Sequence, residues 1–273
     1  MDTLADTLGP PAPPPALRKP RRSWVHATLF GATFVSAMLA QTLPRVAARS
    51  FGDAMGRVLS EPRLLLLGLP FAITLMAILV AHEMGHYLTA RRYGVDQSLP
   101  YFIPAPTFFG TLGAIILMRS QPADRRVLLN VAVMGPYAGL LLAIPATAWG
   151  LAHSVAGEPP LRFGSSLLFG WLNGWFAPEV AVLDLHPVAL AGWVGLFVTS
   201  LNLIPAAQLD GGHVAYALFG RKQERFSLAV VLALLALGLA LGFERGTVWI
   251  FWALFLFVIG VRHPPVRDEM LPL

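Results

Sequence analysis

The chain has no cysteine among its 273 residues. That rules out both a disulfide framework and a thiolate ligand, so any metal must be held by nitrogen and oxygen. Charge is scarce as well: Asp, Glu, Lys and Arg make up 13% of the residues, against 56% hydrophobic. This departs from the surface of an ordinary soluble domain and points to the membrane class. Lysine is nearly missing, with two against eighteen arginines. A net charge of +5 would suggest a nucleic-acid partner in a soluble protein. Here the basic residues flank apolar runs, the pattern of membrane topology signals, and nucleic-acid binding is excluded on that ground.

Six uncharged or nearly uncharged stretches are long enough, or almost so, to cross a hydrocarbon layer of ~30 Å. They are Trp24–Leu43, Leu64–Thr89, Val127–Leu151, Pro187–Ile204, Phe226–Phe243 and Thr247–Val261. The expected fold class is therefore an all-α polytopic membrane protein with about six transmembrane helices, its membrane domain covering residues 24–261. The last stretch is short and follows Glu244-Arg245-Gly246, read as a tight turn, so five spans plus a re-entrant piece is the alternative. Residues 1–23, rich in proline and base, read as a disordered cytoplasmic tail, and 262–273 as a second cytoplasmic tail. Trp24–Leu43 follows basic residues but is long and has no A-x-A site after it, so it reads as an uncleaved span rather than a signal peptide. Ser165–Phe176 is too short to span and is expected to lie in the interface. With the N-terminus cytoplasmic, fourteen of the twenty lysines and arginines fall on that side and six opposite, which puts both termini in the cytoplasm.

Across these six stretches Glu83 is the only Asp, Glu, Lys or Arg. A charged group at the centre of a span costs on the order of 3 kcal/mol on insertion scales, so such a residue is read as functional. It sits in His82-Glu83-Met84-Gly85-His86. On a helix the two histidines, four apart, share a face and can converge on one cation, while Glu83 is turned about 100° away, within reach of a water at that cation. Two histidines leave a site incomplete. His26, His153, His186 and His263 stand at span ends, in the outer loop or in the tail, and read as interfacial polar residues. Asp210 and His213 are left. From Pro187 to Gly220 the only charge is Asp210, and one continuous helix would run ~50 Å, too long for a bilayer. Pro205 and Gly211-Gly212 place a break around Asn202 to Gly212. Asp210 either turns from that break toward the histidines or caps the helix that follows.

With His82-Glu83-x-x-His86 in one span and Asn202-x-x-Pro205-x-x-x-Leu209-Asp210-Gly211 in a later one, the chain resembles the site-2 protease family of intramembrane zinc metalloproteases. The likeness extends from about Leu64 to Gly220, including Phe109–Gly113 and Gly135-Pro136. It implies one Zn²⁺ per chain held by His82, His86 and Asp210, with Glu83 as general base and Asn202 beside the scissile carbonyl, stabilising the oxyanion. His213 would stand behind Asp210 and orient it. The implied activity is hydrolysis of peptide bonds in single-pass transmembrane substrates within the lipid bilayer, as regulated intramembrane proteolysis. No PDZ-like insertion and no nucleotide-sensing domain is evident, so control is expected to come from elsewhere, and a regulatory partner is left open. The arginine-heavy composition suggests a bacterial inner membrane.

Two apolar runs, Pro106–Phe109 and Ala114–Met118, flank Gly110–Gly113 as in a re-entrant β-hairpin. It is expected to lie beside the metal and pair with an extended substrate; the alternative is a loop that only plugs the cavity. Gly135, Pro136 and Gly139 read as helix packing or a kink, and Asn130 as an interfacial amide. Two other functions compete. A membrane di-iron oxygenase needs about eight histidines in several boxes, and the chain has seven, four of them scattered. A catalytically idle scaffold would have little reason to keep His82, Glu83, His86, Asn202 and Asp210 together.

Overall fold

The computed structural model describes residues 23–157, 164–177 and 183–268. Residues 1–22 and 269–273 of the two expected tails lie outside the described residues. Among the described residues there are nine α-helices and two short antiparallel strand pairs. Helices stand in all six expected places: α1 (Ser23–Thr42), α3 (Leu69–Arg92), α4 (Arg125–Ala152), α6 (Pro187–Asn202), α8 (Gln223–Ala240) and α9 (Gly242–Ile259). Between them lie α2 (Phe51–Ser60), α5 (Leu167–Phe176) and α7 (Asp210–Phe219).

By length and composition, Ser23–Arg45, Pro62–Arg92, Arg125–Ala152 and Asp210–Ala240 are long and apolar enough to cross a membrane. The last of these is interrupted: Gly220 adopts φ +58° at the end of α7, and a 3₁₀ turn through Lys222 precedes α8. At 16 residues, α6 reaches only ~24 Å, because it stops at the break that precedes α7. The break is where Pro205 and the glycines place it, at residues 203–209 between the two helices.

Local chemistry explains the main helix ends. In α3, Pro70 occupies the first turn, where a missing N–H costs nothing, and Arg91 and Arg92 close the last turn, favourable for the dipole. In α4, the Asp124 carboxylate accepts from the Val127 amide at 2.8 Å. Pro136 and Pro145 lie inside α4, which a helix packed among others tolerates.

α3, α4 and α6 form the centre of the molecule, with α7 packed on α4 and α8 paired with α9. A core of Phe71, Leu75, Leu79, Leu190 and Val194 joins α3 to α6. Leu232, Leu254, Phe257 and Val258 stay exposed on α8 and α9, as suits a face that meets lipid. α5 likewise exposes Leu167, Trp171 and Trp175.

Three expectations need correction. The last helix begins at Gly242, not Thr247, so Glu244 and Arg245 lie in its first turn rather than in a tight loop. The reversal falls at Leu241–Gly242, where Gly242 supplies φ +73°. In the hairpin, the strands are β1 (Tyr101–Pro104) and β2 (Thr111–Ile115), antiparallel with Tyr101 opposite Ile115 and Pro104 opposite Thr111. Pro106–Phe109 is therefore turn, and Thr111-Leu112-Gly113 is strand. Two prolines in Pro104-Ala105-Pro106 weaken that stretch as a ladder donor, while the Thr111 hydroxyl donates to the Ile103 carbonyl at 2.9 Å and fixes the other register. Third, the expected tail from residue 262 folds back. The Arg267 and Asp268 amides donate to Pro122 and Ala123 carbonyls at 3.0 and 2.9 Å, and Val266 is buried against Leu128 and Tyr216.

The hairpin turn is pressed onto α1. Gly110 adopts φ +75°, and a Cβ there would strike the backbone of Ser36 and Ala37. Gly110→Val meets both left-handed strain and overlap with a helix backbone, for a destabilisation of about 2–4 kcal/mol. A clear fall in the thermal unfolding midpoint of the detergent-solubilised protein is expected; an unchanged midpoint would mean that the turn is not seated on α1.

Candidate metal centre

Halfway along α3, His82 and His86 lie one turn apart with rings at 5.0 Å and 71° to each other. Their Nε2 atoms are 3.2 Å apart. From the start of α7, Asp210 brings Oδ2 to 3.2 Å from His82 Nε2 and Oδ1 to 3.3 Å from His86 Nε2. These are the one group of three or more metal-capable side chains found among the described residues. His86 Nδ1 lies 2.8 Å from the Val131 carbonyl of α4. A carbonyl only accepts, so Nδ1 carries the hydrogen and Nε2 is the ring atom that could face a metal.

The donor set fits zinc. With metal–ligand bonds of ~2.0 Å, the ligand atoms of a tetrahedral site stand ~3.3 Å apart; here the two Nε2 atoms are 3.2 Å apart, and each faces a different oxygen of the Asp210 carboxylate, at 3.2 and 3.3 Å. Three side chains of this kind would hold a zinc ion by three of its four positions, the pattern of a catalytic rather than a structural site.

The remaining expected residues are close by. Asn202, the last residue of α6, places Nδ2 3.5 Å from His82 Nε2. Glu83, 7% exposed, lines the same cavity of about 1130 Å³ as His82, His86, Asn202 and Asp210. The far wall is the hairpin, from Thr111 through Met118. His213 lies near, but its ring nitrogen meets His263, whose ring stacks on Tyr216 at 4.2 Å. His263 thus lines the cavity instead of lying apart in a tail, a position that no local signal announces because a long-range fold-back creates it. His26, His153 and His186 are elsewhere. His26 meets the Pro100 carbonyl, His153 stacks on Trp149, and His186 caps α6. Asn130 donates to the Tyr93 hydroxyl at 3.0 Å on the surface.

Gly135 and Gly139 are part of the site's wall. A Cβ on Gly135 would strike the His86 ring, and one on Gly139 would come within 3.2 Å of His82. Gly85 likewise leaves no room for a Cβ against the Met134 carbonyl. The histidine face of α3 is thus laid on a bare strip of α4. The spacing of Gly135 and Gly139, one turn apart like the histidines, is the sequence signal of this strip, beyond the helix packing or kink expected of them.

These features define a helical membrane protein with a candidate metallohydrolase centre between its helices. The model of peptidase family M50 matches residues 70–242, and the chain belongs to that family, the site-2 protease family. It is 34% identical over 205 residues to the probable chloroplastic zinc metalloprotease EGY1 of Arabidopsis thaliana, covering 70% of this chain and 36% of the relative. To EGY2 of the same plant it is 30% identical over 281 residues, covering 94% of this chain and 48% of the relative. The chain thus spans about a third to a half of the length of these curated relatives. Among solved structures, the site-2 protease from Methanocaldococcus jannaschii is similar at 18% identity and a TM-score of 0.43, over 80% of this chain and 88% of that one. The named relatives are chloroplastic plant proteins, so they give no support to the expected bacterial inner membrane.

Gly135→Ala is expected to push His86 aside and cut bound zinc from one per chain toward none, while Gly139→Ala, with its looser contact, loses less. Metal analysis of purified protein gives the order; full zinc in Gly135→Ala would break the link between the α4 strip and the site.

Proposed function

We propose that the chain is an intramembrane zinc metalloendopeptidase that hydrolyses peptide bonds of single-pass transmembrane proteins. The observation that carries this is the cluster of His82, His86 and Asp210, whose metal-capable atoms all lie within 4.8 Å of one another beside a cavity lined in part by a β-strand. Zinc, when bound, polarises a carbonyl and brings the pKa of its water to ~7.

Each nearby side chain then has a task. Glu83 takes the proton of the attacking water and passes it to the leaving amine, general acid–base work worth about 10²–10⁴ in rate. Asn202 Nδ2, an N–H donor beside His82, donates to the carbonyl oxygen as negative charge develops there. The His86 Nδ1–H bond to Val131 holds that ring in place. With Arg91 and Arg92 at the cytoplasmic boundary, His82 lies ~13 Å inside the layer, so the cavity must be hydrated for the reaction to run.

The hairpin supplies the substrate's backbone partners. β2 pairs with β1 on one edge, and among the described residues its other edge has no strand, while Thr111 through Ile115 border the cavity. An extended substrate segment can add there as a third strand, delivering its scissile bond toward Asp210. The positive-inside distribution supports a cut near the cytoplasmic side.

Glu83→Gln is expected to keep its zinc and lose cleavage of a model transmembrane substrate by about 10²-fold or more; undiminished cleavage removes Glu83 as base. Ala114→Pro, which deletes an amide and fixes φ in β2, is expected to slow turnover several-fold at full zinc content. Unchanged turnover would discard strand addition.

A further inference from the structure

The break that carries Asp210 contains one backbone anomaly. Ala207 adopts φ +52°, the one residue other than glycine with positive φ among those described. An alanine resists this region for want of space between Cβ and its own backbone. It is also fully buried, as is Ala206, so its amide and carbonyl have no water to turn to.

Two polar side chains from α8 meet both groups. The Ala207 amide donates to the Ser227 hydroxyl at 2.9 Å. Gln223 Nε2 donates to the Ala207 carbonyl at 3.2 Å and to the Ser227 hydroxyl at 2.6 Å. Gln223 and Ser227 are each 0% exposed and one turn apart on the same face of α8. Buried polar residues in a membrane helix need a reason to be there. Here the reason is a single residue of the facing turn, gripped on both sides.

The grip bears on the site because the turn is short and tightly stacked. The Leu209 amide donates to the Ala206 carbonyl at 3.3 Å, and the His213 amide to the Leu209 carbonyl at 2.9 Å. Gly212 lies so close to the carbonyls of Ala206 and Ala207 that no Cβ would fit. Ala207 is thus fixed against the first turn of α7, three residues before Asp210, and five after Asn202.

We propose that Gln223 and Ser227 are positioning residues: by clamping Ala207 in its left-handed conformation, they set where Asp210 stands relative to His82 and His86. They touch neither substrate nor metal. Releasing Ala207 lets the turn relax toward an ordinary φ, and the carboxylate moves off the two imidazoles while the HExxH helix is untouched. This rests on the reading of Asp210 as a zinc ligand.

The test uses the full chain in detergent micelles. Zinc affinity is measured by chelator competition, and the ligand field by the visible absorption of the Co²⁺-loaded protein. Ser227→Ala is expected to weaken zinc binding by about 10–100-fold and to change the Co²⁺ spectrum. Gln223→Met, which keeps the hydroxyl, is expected to do so less. Because glycine adopts φ +52° without strain, adding Ala207→Gly to Ser227→Ala is expected to restore most of the lost affinity. Bulk destabilisation alone would not respond in that way, since removing another buried methyl would worsen it. Affinity within about twofold of wild type and an unchanged spectrum in both single variants overturn the clamp, as does a double variant no better than Ser227→Ala. If wild type itself takes up no zinc, the assignment of Asp210 has failed instead.

Discussion

Two imidazoles and a carboxylate, each Nε2 standing 3.2–3.3 Å from an oxygen of Asp210, have to be assembled in a place where hydrocarbon penalises every one of them. A helix can carry two ligands on one face at four-residue spacing, and α3 does so with His82 and His86. It cannot carry a third at the same point, because the next residue on that face is another turn away. The third must come from a second segment, and that segment must end or begin at the same depth. Hence α6 is short, α7 starts at Asp210, and the chain is unwound between them at residues 203–209. An unwound turn inside a membrane protein leaves amides and carbonyls that lipid will not serve. Gln223 and Ser227, from the polar first turns of α8, serve those of Ala207.

The same constraint shapes α4. His86 and His82 need room for their rings against a neighbouring helix, and that neighbour must come close enough for the Val131 carbonyl to hold His86 Nδ1 at 2.8 Å. A strip without side chains satisfies both demands, which is why Gly135 and Gly139 repeat the spacing of the histidines. Pro136 beside them deletes an amide that a buried helix must then do without, and α4 bears this because α3, α6 and α7 pack around it.

Much of this was legible in the sequence. The helices follow from uncharged runs and their charged ends, and the break in the 187–220 segment from Pro205, Gly211 and Gly212, because these signals are local. His82 and His86 are readable for the same reason: their geometry is set by one helix. What was not legible depends on packing between segments distant in the chain. The hairpin turn falls before Thr111 rather than over Gly110–Gly113 because apolar runs alone do not say which residues turn. His263 was taken for a tail residue because nothing near it in sequence announces that 262–268 folds back under the 121–124 loop. Gln223 and Ser227, at the polar end of α8, look like ordinary interfacial residues until the turn at Ala207 is seen beneath them.

Under the proposed function, the cavity wall makes demands of a transmembrane substrate as well. A transmembrane helix offers no free amides, and breaking its hydrogen bonds in an apolar medium costs about 4–6 kcal/mol apiece. In the proposed strand addition, the edge of β2 beside the candidate metal centre repays part of that cost by accepting and donating in place of the lost helical partners. β2 is only five residues long, so it can serve a short extended stretch and no more. The remainder of the substrate must either stay helical on the membrane side or lie in water on the other. Such an arrangement favours segments that already unwind near the membrane surface, and it disfavours the centre of a uniformly apolar helix. On that proposal, selection by local helix stability follows from the length of one strand, before any side chain of the substrate is read.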